Sequence, residues 1–452
     1  MRVTRVELRF GRADGTNAYV NHAPSAVNSI TSTESEGIEL LANIDELFAS
    51  PTVRVTVRNK TSEEIKLDSV TIEVATGFAS HRPARFMKHG YQSWSGSGPV
   101  QVGDTRPHPR DSAPSIVRIN HQSEARRPDG FPEAATSEMF AIVTSAASRD
   151  SILAGFAGAE HELTTITVPS PDRVLARVLL DGVVLSPGAE RAIEPLILDS
   201  GESPSLLAWR WASVIGDRMG ARTNAPYQRG WCSWYHYFHA ITEDALRANL
   251  RALASMRQKF PVEVVQLDDG FQAALGDWDV TNSKFPSGLK RIAQEIRDAG
   301  FIAGIWTAPF FAAQGSQIMR EHPDWFIRHT SAGPLKAGYN PDWTADEDKF
   351  AYALDPSNPG FRDHLERLFR KLTDEFGYAY LKLDFLYAGA AEGIRHDPNL
   401  TRAEALRRGL EAIRAGAGDK TFILGCGCPL GQAIGIVDGM RIGPDVAPFW
   451  GS

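Results

Sequence analysis

Cysteine is scarce: the 452 residues hold three, Cys232, Cys426 and Cys428. Three thiols cannot build a disulfide framework, so the fold rests on apolar burial, and the chain reads as cytoplasmic. The Cys-Gly-Cys pair has no second ligand pair at zinc spacing, so no metal is expected there. Both of its cysteines read first as small buried hydrophobes. No apolar run reaches the ~18–20 residues that a membrane-spanning helix needs. The opening MRVTRVELRFGRADG lacks the apolar core of a signal peptide and alternates like a strand from its fourth residue. The formal net charge is −7. It is spread along the chain without a basic stripe, which argues against a nucleic-acid partner.

What is present is an ordinary globular balance, 42% hydrophobic and 23% charged. That supplies a large core, and the length suits two or three domains. Residues 1 to about 220 carry short β-branched segments such as VELRF, TVRVTVRN, KLDSVTIEVATG and VLARVLLDGVVL, mostly separated by Gly, Pro, Ser or Asp. Strands without helices between them predict an antiparallel β-sandwich. The stretch 81–135, rich in Gly, Pro, Arg and Ser, predicts long loops. Near Ala225 the pattern changes. Apolar strands starting near 229, 263, 302, 380, 422 and 440 alternate with amphipathic segments such as TEDALRANLRALASMRQKF, for which Thr242 is the expected N-cap. No Gly-rich phosphate loop follows any of these strands, which disfavours a doubly wound nucleotide fold. The expected architecture is an N-terminal β-sandwich over 1–222 and a (β/α)8-type (TIM) barrel over 223–452. Eight strands close such a barrel. Six are legible before Ser452, so the barrel is expected to be truncated after the sixth.

Polar residues recur at the C-terminal ends of these strands, where such a barrel keeps its chemistry. QLDDGF ends the second strand with Asp268 and Asp269. GIWTAPF ends the third with Trp306. YLKLDF puts Lys382 and Asp384 on one side of the fourth. GCGCPLG ends the fifth with Cys426 and Cys428, and RIGPDVAPFW follows the sixth with Arg441 and Asp445. Buried charges are expensive unless paired. Converging on one rim, these groups predict a pocket of carboxylates and cations, with Trp231, Trp234, Trp278 and Trp306 as apolar walls. A sugar suits that mixture: hydroxyls for the charged groups, a C–H face for tryptophan. Acetal cleavage needs two carboxyl groups, one ionised and one protonated. Lys382 favours the ionised form of Asp384, which makes Asp384 the candidate nucleophile. Asp445, in a Pro-flanked loop, is expected to be partly buried and so to serve as acid/base. Taken singly, each signal has a plainer reading. An Asp-Asp pair is commonly a cap or turn, a strand-end tryptophan commonly packing, and Lys382 with Asp384 a structural ion pair. The assembly in chain order is what carries weight.

In that order the strings QLDDGFQ, GDWDVTNSKFPSGLKRIAQEIRDAGFIAGIW and LKLDF, between GWCSWY and RIGPDVAPFW, resemble glycoside hydrolase family 36. These are α-galactosidases, or melibiases, of the same clan as family 27. The resemblance implies a retaining exo-glycosidase for α-galactoside oligosaccharides that needs no metal or organic cofactor, with homo-oligomers common among relatives. It implies Asp384 as nucleophile and Asp445 as acid/base. It further implies Asp268 and Asp269 on the 4- and 6-hydroxyls, Lys382 and Arg441 on ring hydroxyls, Trp306 as a wall, and Cys426 or Cys428 near the 2-substituent. GCGCPLG departs from the commoner string at that loop, which leaves α-N-acetylgalactosaminidase open, as it does transglycosylation. A non-catalytic sugar-binding fragment is the reading from another class. The segment HGYQSWSGSG also resembles a family loop that leans over the barrel mouth, so Trp94 is either a pocket wall or a packing residue of its own loop.

Overall fold

Alternating burial organises the first half of the chain. Along Ser50–Asn59 and Ile65–Ala75 apolar residues turn inward at every second position while polar ones face out. In the computed structural model, which describes residues 1–12, 15–23, 30–47, 50–103, 136–329, 333–340, 349–443 and 445, the chain divides into two compact units. The first comprises Met1–Tyr91, Ser95–Ala221 and Pro398–Glu404. The second comprises Gln92–Trp94, Arg222–Asp397 and Ala405–Ser452.

The first unit holds two antiparallel sheets. One runs in the order Asn17–His22, Arg2–Gly11, Ile65–Ala75, Arg173–Leu185, Leu163–Ser170, Thr136–Glu138; the other has nine strands, with Ser50–Asn59 paired to both Ile38–Leu47 and Leu196–Gly201. A single apolar cluster takes side chains from both, among them Val6, Leu8, Ile72 and Val178 from one and Leu40, Val55, Phe156 and Leu198 from the other.

Two expectations are corrected here. The segment 81–135 is not wholly loop: Ala84–Lys88 and Gly98–Gln101 pair antiparallel at a sheet edge, while 104–135 lies outside the described residues. Short strands flanked by Gly, Pro and Ser hide within loop-like composition. The first half also contains a helix, Pro204–Met219, which the strand-only reading missed. Its signals are local: Ser203 accepts from the Leu206 amide, Pro204 stands in the first turn, Gly220 stops it in the left-handed region (φ 65°), and Leu207, Trp211, Ile215 and Met219 recur at helical spacing on the buried side.

The second unit is built on a six-stranded sheet whose neighbours are all parallel: Gly230–Cys232, Val264–Leu267, Ile302–Thr307, Tyr380–Leu383, Phe422–Gly425 and Gly439–Met440, in chain order. These are the six strands expected. Three are apolar and buried nearly throughout, as strands covered on both faces must be. The intervening helices present one apolar stripe each, Leu289, Ile292, Ala293 and Ile296 in Gly288–Asp298 and Phe361, Leu365, Leu368 and Phe369 in Pro359–Arg370. Thr242 caps Glu243–Ser255 by accepting from the Ala245 amide. Between the third and fourth strands lies a small antiparallel sheet, Phe311–Ala313, Phe350–Ala353 and Lys336–Tyr339. No helix among the described residues is long and apolar enough to cross a membrane.

After the fourth strand the chain turns through Leu386–Ala390. Arg395 holds that turn by donating to the Gly389 and Ala391 carbonyls at 3.1 and 2.7 Å, and it is itself held by Asp355 at 3.0 Å. Both side chains of the pair are almost wholly buried. Replacing one partner leaves the other charge uncompensated, so Arg395→Met is expected to cost about 3–5 kcal/mol. Urea unfolding of the full chain checks this.

Candidate active site

Lys382 and Asp384 lie two residues apart at the end of the fourth strand and therefore point the same way. Register places Lys382 beside Trp306 on the third strand. The Lys382 Nζ sits 2.9 Å from Asp268 Oδ2 and 3.9 Å from Asp384 Oδ2, and all three side chains are buried. Burial opposes the charge on Lys382, but Asp268 and Asp384 outweigh it, so its pKa lies well above the usual lysine value. Burial also raises Asp268, and Lys382 offsets that only in part.

Asp384 is gripped on both oxygens. Oδ2 accepts from Trp306 Nε1 at 3.1 Å, and Oδ1 from the Phe385 amide at 2.8 Å. Trp306 is backed edge-on by Trp278 at 5.5 Å. Phe385 adopts φ 51°, a left-handed conformation costly for a side-chain-bearing residue. That turn places its ring on Phe311, stacked at 5.0 Å, and against the edge of Trp94 at 5.3 Å. Buried Cys426 adds its thiol to Asp384; burial first, then Asp384, hold that thiol protonated.

Trp94 belongs to this unit. Its segment joins the fifth-strand loop through a Gln92–Pro429 bridge and a Ser93 hydroxyl that accepts from the Cys428 amide at 3.4 Å. The Arg441 guanidinium lies 5.7 Å over its ring, and its buried Nε1 has no hydrogen-bond partner among the described residues. Arg441 holds one of the two candidate catalytic carboxylates. It pairs with Asp445 Oδ1 and donates from Nε to the Gly443 carbonyl at 3.0 Å. Burial works against its charge, while Cys426, Asp384 and Asp445 raise its pKa above the usual arginine value. Asp445 Oδ2 accepts from Trp234 Nε1 at 3.2 Å.

Asp384, Lys382, Asp268, Trp306, Trp278, Cys426, Arg441, Asp445 and Trp94 thus form one connected set. Asp269 joins through its amide, which donates to Asp268 Oδ1 at 2.9 Å, while its carboxylate accepts from Gln272 at 2.6 Å and stands 3.4 Å from His239 Nδ1. Two expectations need revision. The Asp445 side chain is 46% exposed, more open than expected. Cys428 directs its thiol to its neighbour's carbonyl, Pro429, at 3.2 Å, since residues 426 and 428 flank Gly427 in the left-handed region (φ 54°) and do not share a direction. Trp231 packs edge-on against Tyr237 at 6.5 Å. Sequence reasoning passed over Tyr235, half-enclosed and raised by burial, which feels Lys382, Asp445, Cys232 and Arg441 at once. It also passed over Cys232 and Gln266, both bonded to Asp268. All three lie within or beside the strings quoted above; no spacing rule marks them.

Residues 233–405 match the Melibiase family model. The chain is 26% identical over 197 residues to Alpha-galactosidase 2 of Pediococcus pentosaceus, a match covering 42% of this chain and 25% of that protein. The matched stretch therefore spans about a quarter of that curated relative's length. The chain resembles the α-galactosidase from Thermus thermophilus in complex with p-nitrophenyl α-D-galactopyranoside, with TM-score 0.68 and 28% identity over 94% of this chain and 76% of that one. The same Thermus enzyme in complex with stachyose gives TM-score 0.66 at 27% identity, over 94% and 80%.

Gly427 carries the turn that lets Trp94 approach Phe385. A Cβ there would stand 3.1 Å from the Phe385 amide nitrogen and 3.1 Å from the Trp94 ring. Gly427→Ala is expected to cost at least ~1–2 kcal/mol from the left-handed backbone alone. Urea unfolding measures the loss, and an unchanged midpoint contradicts the geometry.

Proposed function

We propose that this chain belongs to an α-galactosidase of glycoside hydrolase family 36, and that Asp384 and Asp445 are its nucleophile and acid/base. The observation that carries the reading is Asp384, buried beside the Lys382 ammonium and gripped on both oxygens by the Trp306 indole and the Phe385 amide, with an exposed second carboxylate, Asp445, tethered by Arg441 in the same unit. The likeness to a Thermus enzyme that binds p-nitrophenyl α-galactoside and stachyose supports terminal α-galactosides as substrates. On this reading the parallel strands are part of a (β/α)8-type barrel and the antiparallel sheets a sandwich domain.

Asp384 Oδ attacks the anomeric carbon. The bond from that carbon to the leaving oxygen breaks, and Asp445 gives that oxygen its proton. A glycosyl-aspartate results. Asp445, now ionised, takes a proton from water, whose oxygen displaces Asp384, so the anomeric configuration is retained. Lys382, with Asp268 behind it, and Trp306 hold Asp384 in the attacking position. Trp94 offers its ring to the bound sugar. The acid role requires that the sugar displace water from around Asp445. Retention places the two carboxyl groups about 5–5.5 Å apart in the complex.

Asp384→Asn is expected to abolish turnover of 4-nitrophenyl α-galactoside while galactose binding survives in calorimetry. Asp445→Asn is expected to lower kcat/KM by roughly 10²–10⁴-fold on raffinose, which carries a poor leaving group, and far less on the nitrophenyl glycoside, whose nitrophenolate needs little protonation to depart. Equal losses on the two substrates contradict the acid role. An NMR assay showing initial release of β-galactose contradicts retention.

A further inference from the structure

The loop after the first parallel strand is strained where its own packing does little to offset the strain. Trp234–Tyr237 forms one helical turn, closed by the Phe238 amide donating to the Trp234 carbonyl. Phe238 then takes φ 49° and ψ −138°, a costly conformation for a side-chain-bearing residue. Phe238 is nevertheless 43% exposed, so burial of its ring offsets that cost only in part. What the reversal achieves is to bring two rings onto Trp234. Phe238 meets the indole edge-on at 5.2 Å and His239 at 5.0 Å. The same half-buried indole donates from Nε1 to Asp445 Oδ2 at 3.2 Å.

His239 is anchored in turn. Its carbonyl accepts from Lys284 Nζ. Gly270, at φ 118°, lets the backbones meet: a Cβ there would stand 3.0 Å from the His239 carbonyl oxygen and 3.1 Å from its Cα. The imidazole Nδ1 lies 3.4 Å from Asp269 Oδ2, and Nε2 lies 3.5 Å from the Asn340 side-chain nitrogen.

We propose that His239 is a positioning residue for the acid/base: its anchored ring fixes the Trp234 indole, whose N–H aims the Asp445 carboxyl group at the leaving oxygen. The inference rests on the reading of Asp445 as acid/base. Arg441 pairs with one Asp445 oxygen and the indole with the other, so the indole sets the rotation of the carboxyl plane. Loosening the indole misdirects proton transfer, which a poor leaving group feels and a good one does not. Raffinose and the nitrophenyl glycoside share their galactosyl group, so a mere loss of sugar binding lowers both alike.

The test uses the full chain, both substrates, and the variants His239→Ala and His239→Phe. His239→Ala is expected to lower kcat/KM on raffinose about tenfold more than on 4-nitrophenyl α-galactoside, and His239→Phe, which keeps a ring, to hold the ratio of the two within about threefold of wild type. The Trp234 indole N–H, identified as the NMR signal lost in Trp234→Phe, is expected to exchange with solvent slowly in the wild type and about tenfold faster in Asp445→Ala and His239→Ala. Equal losses on the two substrates in His239→Ala, or His239→Phe no better than His239→Ala, overturn the positioning role. Wild-type exchange as fast as in Asp445→Ala overturns the indole bond without reference to activity. Wild-type protein that cleaves neither substrate, or Asp445→Asn that loses both equally, overturns the reading of the site instead, so the failures are distinct.

Discussion

A lysine ammonium held out of water between two aspartates is the constraint on which the second unit's site depends. Lys382 would be untenable on a buried strand alone, since removing an ammonium from water costs several kcal/mol even after relaxation. Asp268 from the second strand makes its burial tolerable, and Asp384 shares the charge. The arrangement requires the second, third and fourth strands to run parallel and in register, so that three strand ends deliver their polar groups to one level. A slip of one residue on the fourth strand would send Lys382 and Asp384 to the opposite face.

Around that centre the fold grades from rigid to open. Asp384 is fixed by the Trp306 indole and the Phe385 amide, with Trp278 backing the one and Phe311 the other. A strained left-handed turn is accepted at Phe385, Gly427 supplies another without strain, and both serve to bring Trp94 against Phe385. The Asp445 side chain, by contrast, is exposed and is tethered by Arg441 and Trp234. On the proposed mechanism, a group that exchanges protons with both a leaving oxygen and water is well served by that exposure, as a nucleophile is by restraint.

Much of this was legible because periodicity and composition are local properties. The six apolar strands, the helices between them and the Thr242 cap follow from residues near one another in the chain. So does the pairing of chemistry with strand ends. What escaped reading had contrary local signals. The strands at 84–88 and 98–101 sit in Gly- and Pro-rich surroundings, and the helix at 204–219 follows a long run of strands. The burial of Asp445 was inferred from flanking prolines, but burial depends on what packs over a loop, and proline specifies only how the chain bends.

The site residues divide along the same line. The sequence by itself determined which residues carry charge, which strand each ends, and that Lys382 and Asp384 face one way, because alternation along a strand is set by covalent geometry. Only the tertiary structure decided that Lys382 leans harder on Asp268 than on Asp384, that Cys426 rather than Cys428 meets the nucleophile candidate, and that Cys232, Gln266 and Tyr235 belong to the site. Those are choices among partners 30 or more residues apart in most cases, made at separations of ~3 Å. Hydrogen bonding at that range answers to strand register and loop path, which no single segment of the chain contains.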